Sequence, residues 1–488
     1  MTRALIVLGL CLSFAAAPSA RADVIRVSSG DSIAEALENA PPGSIIEVEP
    51  GVYHEALTVD TPGITLRGIV RGNQRPVLDG RNRLNDGVIA SGSPFTMSGF
   101  AVRHYKGNGV SAQGIDGVTF TDLEIDDTGL YGVYPVQSRN VVVTNCTVTR
   151  ISDAGIYVGE SENALVAGNE VHHNVAGIEI ENTNDAEVRD NLAFANTAGI
   201  LVFVLPGKVL KEARRNRVHR NWVVRNNHEN FGDPVSIVGG LPPGIGILVM
   251  GADETTVERN RVKDNPSIGI GLIRLGEAEA ARDPEQEPFA ERNRIRGNYF
   301  SGNGLDPAPA IVAGYGGGGD FAWDGTGRDN CVDLPDSAAT AGVPLRPCAI
   351  PGGARLEEPF GRGHASGSEP ARVPPARRVA ASAAATVDLD AVAAVVRIRA
   401  MRFEPKHLTI HVGESVAWTN EDAVVHTVTS GRGTVPADGP LASPFMMRGA
   451  TYSHVFREPG RYEYLCLPHL DQKSMREATV TVLPPGPS

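Results

Sequence analysis

The sequence predicts an all-β protein made of two unlike parts, a long parallel β-solenoid and a small C-terminal β-domain. Three observations carry this. A Gly followed by alternating apolar residues recurs at Gly87, Gly109, Gly132, Gly155, Gly177, Gly199, Gly246 and Gly269, at spacings of 22, 23, 23, 22, 22, 47 and 23. Residues 351 to about 390 are rich in Pro, Gly, Ala, Ser and Arg, the composition of an extended linker. Beyond them, short alternating strands are separated by Gly and Pro turns. At 488 residues the chain has room for two or more domains.

The first residues read as a secretory signal. Arg3 is the positive flank, Ala4 to Ala17 the apolar stretch, and Ala20-Arg-Ala22 a small-x-small cleavage site, which starts the mature chain near Asp23. Cys11 lies in the apolar stretch, but Leu10 before it is too large for a lipoprotein site, so no lipid anchor is expected. No later segment reaches the length of a membrane span. The formal charge of −12 is spread over both signs, which argues against nucleic acid or an anionic membrane as partner.

The repeat itself builds the solenoid. A fixed period of about 22 residues, with many turn residues and no helical periodicity, means stacked coils of two or three short strands. About a dozen coils at one strand spacing each give a rod roughly 50 to 60 Å long. Asn145/Cys146, Asn169, Asn191, Asn221, Asn260 and Asn298 run in phase with the Gly marks and predict a polar ladder at one turn. The stretch from Asp31 to Ala40 predicts a short amphipathic helix, N-capped by Asp31, that covers the first coil. Two interruptions, between Gly199 and Gly246 and from Gly276 to Pro288, map to loops.

In the C-terminal part, His426, Cys466-Leu-Pro-His469 and Met475 supply two imidazoles, a thiolate and a thioether. That is the donor set of a mononuclear blue-copper site: two His and a Cys in a trigonal plane with a weak axial Met. Thiolate with imidazole also suits zinc. Around these residues, Leu408 to Val412, Val416 to Asn420, Tyr452 to Phe456, Tyr462 to Leu465 and Ala478 to Val482 read as strands. Residues 396 to 484 closely resemble the plastocyanin/amicyanin type of cupredoxin. The resemblance implies one type 1 copper ion, with His426, Cys466 and His469 as equatorial ligands and Met475 as the axial one. Five residues separate His469 from Met475, a longer loop than the shortest in that family. Met446 and Met447 are the alternative axial residues.

The opening, from Ile25 through Ile45 to Tyr53 and on to Leu78-Asp-Gly80, resembles the pectin-lyase-like right-handed parallel β-helix, over residues 24 to 345. Its repeats resemble those of carbohydrate-binding and sugar-hydrolase β-helices, of periplasmic mannuronan epimerases and of the NosD proteins of copper-enzyme maturation. The Asp-Pro-His signature of the epimerases is absent, since Asp233-Pro, Asp283-Pro and Asp306-Pro all lack the His. The fold hosts lyases, hydrolases, epimerases and non-enzymes, so it does not decide activity.

One outward column of the rod has the residue types of a glycan site: Ser111, Tyr134, Tyr157, Glu179 and Leu201, with Glu181 and Phe203 two residues on. Glu179 and Glu181 share a face about 7 Å apart by strand geometry, within the range of paired catalytic carboxylates. They are the candidate catalytic pair, and Tyr134 and Tyr157 the candidate sugar-stacking residues. An ordinary solvated sheet face carries the same residues, and that reading is preferred. Asp126, Asp127 and Asp153 are candidate Ca²⁺ ligands or bases, or plain turn Asp residues. His172, His173 and His228 are placed in turns or loops. Of the cysteines outside the signal, Cys146 is a buried free thiol and Cys466 a metal ligand. Cys331 and Cys348 form a disulfide in an exported chain, with two free thiols as the competing view.

The resulting division is 1–22 signal peptide, 23–350 right-handed parallel β-helix, 351–393 linker and 394–484 cupredoxin. The expected function is that of an exported, monomeric copper protein in electron transfer, docking a redox protein or a polysaccharide through its β-helix. The alternatives are a polysaccharide lyase, epimerase or hydrolase with an accessory cupredoxin, and a periplasmic copper delivery factor.

Overall fold

The computed structural model describes residues 23–348 and 392–484, apart from 235, 423–425, 434, 438, 442, 444–445, 447–448, 467–468 and 470–472. The expected signal peptide, nearly all of the expected linker and Met447 lie outside the described residues. Residues 24 to 342 wind into three parallel sheets of twelve, eleven and ten strands. The twelve-stranded sheet runs from Val24–Val27 to Cys331–Val332, the eleven-stranded sheet from Leu57–Val59 to Thr340–Gly342, and the ten-stranded sheet from Gly51–Tyr53 to Tyr299–Ser301. Each full coil gives one strand to each sheet, three rather than two.

Strand alternation sends every second side chain inward, and in-register stacking turns those side chains into ladders. In the eleven-stranded sheet Val88, Val110, Val133, Ile156, Ile178, Ile200, Ile247, Ile270 and Phe321 follow one another coil by coil. All are buried. The marker glycines have a steric reason, not a dihedral one. A Cβ on Gly132, Gly177, Gly199 or Gly269 would stand 2.5 Å from a carbonyl oxygen of the next coil. No side chain fits there without moving backbone.

The expected Asn ladder exists. The Nδ2 groups of Asn169, Asn191, Asn221 and Asn260 each donate to the Oδ1 of the next coil's Asn at 3.0 Å, ending at Asn298. Cys146 stands in the Asn position of the coil before, donating its backbone N–H to Asn169. A second ladder of Asn174, Asn196, Asn226, Asn265 and Asn303 does the same at another turn. In both, the amide also donates to a backbone carbonyl of the preceding coil, as Asn191 does to Val166 and Asn196 to Val171.

The covering helix spans Ile33–Glu38, and its N-cap is Ser32, not Asp31. Ser32 Oγ accepts from Glu35 N–H at 3.1 Å, and Glu55 from a neighbouring strand connection takes the N–H groups of Ile33 and Ala34. Asp31 is drawn back one turn to accept from Ser28 N–H. At the other end a Cys331–Cys348 disulfide closes the chain, Cα atoms 4.7 Å apart, while Cys146 is free and buried.

The two interruptions of the repeat meet in space. Asp283 accepts from Gly207 N–H and pairs with Lys211, and Gln286 reaches Asn182 at 3.3 Å. The loops from the two insertions are thereby tied together and to the coil ending at Asn182.

Residues 394 to 483 form two small sheets. One pairs Phe403–Glu404, Ala394–Ile398, Ser415–Asn420 and Thr451–Val455; the other pairs His407–His411, Ala478–Leu483, Gly460–Leu465, Thr429–Arg432 and Val435–Pro436. Their inner faces bury Val396, Phe403, Trp418, Val428, Phe456, Tyr464 and Val480 in a core of their own. Among the described residues no helix is long and apolar enough to cross a membrane.

Candidate metal centre

Cys466 follows directly on the strand Gly460–Leu465, and His426 lies past the end of Ser415–Asn420. The chain at His426 is fixed by reciprocal backbone hydrogen bonds with Met446. The loop after Cys466 folds back so that Cys466 N–H donates to the carbonyl of Met475 at 2.8 Å, and His469 N–H to the carbonyl of Cys466. These contacts bring three donors together. Cys466 Sγ lies 3.5 Å from His426 Nδ1 and 3.4 Å from His469 Nδ1. Among the described residues this is the one His, Cys and carboxylate group whose donor atoms all fall within 4.8 Å of one another.

The surroundings prepare the donors. Asp422 accepts from the far nitrogen, His426 Nε2, at 2.9 Å, which leaves Nδ1 to face the sulfur. Burial pushes the Asp422 carboxyl up, but His426 and the N–H groups of Met401 and Ala400 outweigh it and hold it below the usual carboxylate range. Thr427 N–H points at Sγ at 3.3 Å, where it stabilises negative charge on sulfur. Burial drives the Cys466 thiol up to about 12, and burial, then the His426 ring, lowers His469 to about 3. A neutral His469 imidazole and a thiol therefore wait at neutral pH. His426 is fully buried and His469 only half-buried, so His469 is the edge of the site nearer to solvent. The donor chemistry fits a copper ion: soft sulfur and two ring nitrogens at spacings an ion between them can bridge.

A pH dependence follows. Ion uptake needs the thiolate, so it expels the thiol proton. The free thiol is protonated at all pH values below about 12, and the His469 ring is neutral above about 3. Apparent metal affinity is expected to rise about tenfold per pH unit between pH 7.5 and 9, with one proton released per ion. Calorimetric titration in buffers of different ionisation enthalpy measures this count. A proton count of zero would mean a thiolate already formed without metal.

Two methionines are buried beside the site, Met475 and Met446, both tied to the ligand residues through backbone bonds.

The column on the β-helix has the expected register, Tyr157 beside Glu179 and Glu179 beside Leu201. Its expected environment is corrected. It is not a solvated face: Tyr157 and Glu179 are 1% exposed, Glu181 4%, and only Tyr134 is half-buried. Tyr134 stacks on Tyr131 with ring centroids 4.4 Å apart, and Lys208 from the insertion loop caps Glu181 at 2.5 Å. Glu179 Oε1 has no hydrogen-bond partner. Burial, then Asp153 and Glu181, raises Glu179 well above the usual range; burial, then Glu181, moves Asp153 to about 7. Tyr131, Asp153 and Lys208 thus join this group. The strand pattern did not reveal Lys208, because it arrives on a non-repeating loop.

The remaining candidates disperse. Asp126 ends a strand and pairs with Arg150. His172 is not in a turn or loop as expected but ends the strand Glu170–His172, buried. His173 follows it at φ 56°, and His228 lies in the insertion loop.

A β-sandwich whose strand ends hold two imidazoles around one buried sulfur defines a cupredoxin. Residues 390–482 match the copper binding proteins of the plastocyanin/azurin family, and residues 81–204 the right handed beta helix region. The C-terminal part is 35% identical over 85 residues to an amicyanin of Paracoccus versutus, covering 17% of this chain and 64% of the relative. It is 33% identical over 92 residues to a plastocyanin of Scenedesmus fuscus, covering 17% and 88%. The chain thus belongs to the plastocyanin/azurin family through its C-terminal part, and it spans about three-fifths of the length of the amicyanins it matches. Among solved structures, the amicyanin of Paracoccus versutus aligns at 35% identity and TM-score 0.17, over 21% of this chain and 89% of that one. An alginate lyase from Paenibacillus aligns at 16% identity and TM-score 0.39, over 59% and 99%, too loose a likeness to bear on chemistry.

Proposed function

We propose that this is an exported type 1 copper protein that carries single electrons, with a β-helix that docks its partner. The supporting observation is the convergence of His426 Nδ1, His469 Nδ1 and Cys466 Sγ within 4.8 Å in a dry core. A copper ion bound there supplies a one-electron Cu(II)/Cu(I) couple. His426, Cys466 and His469 are the proposed equatorial ligands and Met475 the axial one. The core around Trp418, Val428 and Tyr464 keeps water from the sulfur. The hydrogen bonds from Asp422 and Thr427 hold the donors in one geometry in both charge states, so little rearrangement accompanies transfer. The half-buried His469 ring is the proposed route of entry and exit. Export rests on the signal-like first 22 residues and suits the Cys331–Cys348 disulfide. The proposed division is a β-helix over 23–350, a linker over 351–393 and the copper domain over 394–484. The docked partner is a redox protein or a polysaccharide.

Voltammetry and stopped-flow electron exchange on the copper-loaded chain test this. A reversible one-electron wave with fast exchange is the expected result. Slow exchange with ready release of copper to an apo-protein would instead favour a delivery role.

The buried acids favour a second reading, a polysaccharide-active β-helix. Burial, Asp153 and Glu181 favour the protonated form of Glu179 while Glu181 is paired with Lys208, the kind of split that separates a general acid from its partner. Turnover of a uronate polysaccharide that disappears in Glu179→Gln would establish it.

A further inference from the structure

A second cluster of metal-ligating side chains lies on the β-helix, in no part of the Cys466 site. His172 projects from the outer face of the ten-stranded sheet, opposite the inward Val171. His173, next in the chain, takes a left-handed backbone that turns its ring back against His172. The two rings meet edge to face, with centroids 5.1 Å apart and Nδ1 atoms 2.9 Å apart. His228 reaches in from the insertion loop, anchored by its N–H on Asn196, with its ring centroid 5.7 Å from His173. Phe194 and Phe231 flank the three imidazoles.

The two Nδ1 atoms face each other across one shared proton at 2.9 Å, with Thr149 Oγ1 3.2 Å from His172 Nδ1, and a cation can take the place of that proton. Burial, then the neighbouring His173, lowers His172 to about 3, and burial, then His228, lowers His173. Both rings are therefore neutral, the form that binds metal. An ion about 2.0 Å from each nitrogen would subtend roughly a right angle between them, an accessible cis arrangement. The far nitrogen of His172 stands 3.6 Å from Glu170, which places a carboxyl group behind the ring without a hydrogen bond to it. The Nδ1 of His228 is held by the Glu229 carbonyl at 2.7 Å, which leaves its Nε2 as the third donor.

We propose that His172, His173 and His228 form a second copper site, on the β-helix, separate from the Cys466 centre. Among divalent first-row ions imidazole donors without thiolate bind Cu(II) most tightly, and Cu(I) accepts the same two or three neutral nitrogen donors. The trio closes only when the His228 ring, now edge to face with His173 at 5.7 Å between centroids, turns its Nε2 toward the pair.

The test uses the full chain with Cys466→Ser and His469→Ala, which disables the cupredoxin centre. Cu(I) is titrated without oxygen against bicinchoninate, and Zn(II) in a parallel experiment. The expected result is retention of one further Cu(I), bound through imidazole alone by X-ray absorption. Adding His173→Ala should release it, and adding His228→Ala should weaken it by about tenfold or more. Melting curves of the variants report whether the rod stays folded. If the disabled chain holds no Cu(I), if His173→Ala retains it, or if Zn(II) is held and copper is not, the proposal is overturned.

Discussion

A Cys466→Ser chain loaded with copper is expected to lose the intense visible colour of the Cu(II)–thiolate bond completely, and fast electron exchange with it. Cys466 Sγ is the one sulfur placed between the two imidazoles, 3.4 and 3.5 Å from their Nδ1 atoms. A serine hydroxyl there is a hard donor that stays protonated, so the soft, covalent bond that gives colour and rapid transfer has no replacement. The fold should survive. Cys466 is fully buried and the hydroxyl is smaller, so the metal-free variant should lose no more than about 1 to 3 kcal/mol, the cost of a poorly satisfied buried polar group. Absorption spectra and melting curves of the two chains decide this. A variant that keeps the visible band would sink the assignment of Cys466 as ligand.

The second large effect belongs to the rod. Gly199→Ala is expected to destabilise the β-helix by about 3 kcal/mol or more, the upper end of overpacking costs. Its Cβ would stand 2.5 Å from the Gly246 carbonyl oxygen and 2.6 Å from Val223 Cγ1. The carbonyl belongs to the next coil's ladder and cannot retreat without breaking hydrogen bonds. The melting temperature should fall by about 2 to 4 °C for each kcal/mol. Gly314→Ala is the control. Gly314 lies in the helix Pro309–Tyr315, its added Cβ meets nothing within 4 Å, and alanine is the better helix former. Equal losses in both variants would show that the Gly column is not a steric requirement of coil stacking.

Much of the architecture was readable before any coordinates. The Gly period marks coil stacking because that contact leaves no room for a Cβ in any coil. The His–Cys–His group was readable because two of its members sit on one short loop with a strict local order, Cys466-Leu-Pro-His469. The second Asn ladder was legible too, since each of its members follows the first ladder by five residues, from Asn169 and Asn174 to Asn298 and Asn303. The helix cap was misplaced by one residue because Glu55, distant in sequence, competes for the same N–H groups.

The sequence by itself determined the stacked coils, the C-terminal sandwich and the copper donor set, because each is written as a local pattern whose physical requirement repeats or stays within a few residues. Tertiary structure alone decided the environment of Glu179, Tyr157 and Asp153. Strand alternation says only that they leave the coil interior; whether they then meet water depends on an irregular insertion that brings Lys208 onto the neighbouring Glu181. The same holds for His172, His173 and His228. Their meeting depends on a left-handed turn at His173 and a loop from a later coil, and no sequence period encodes either.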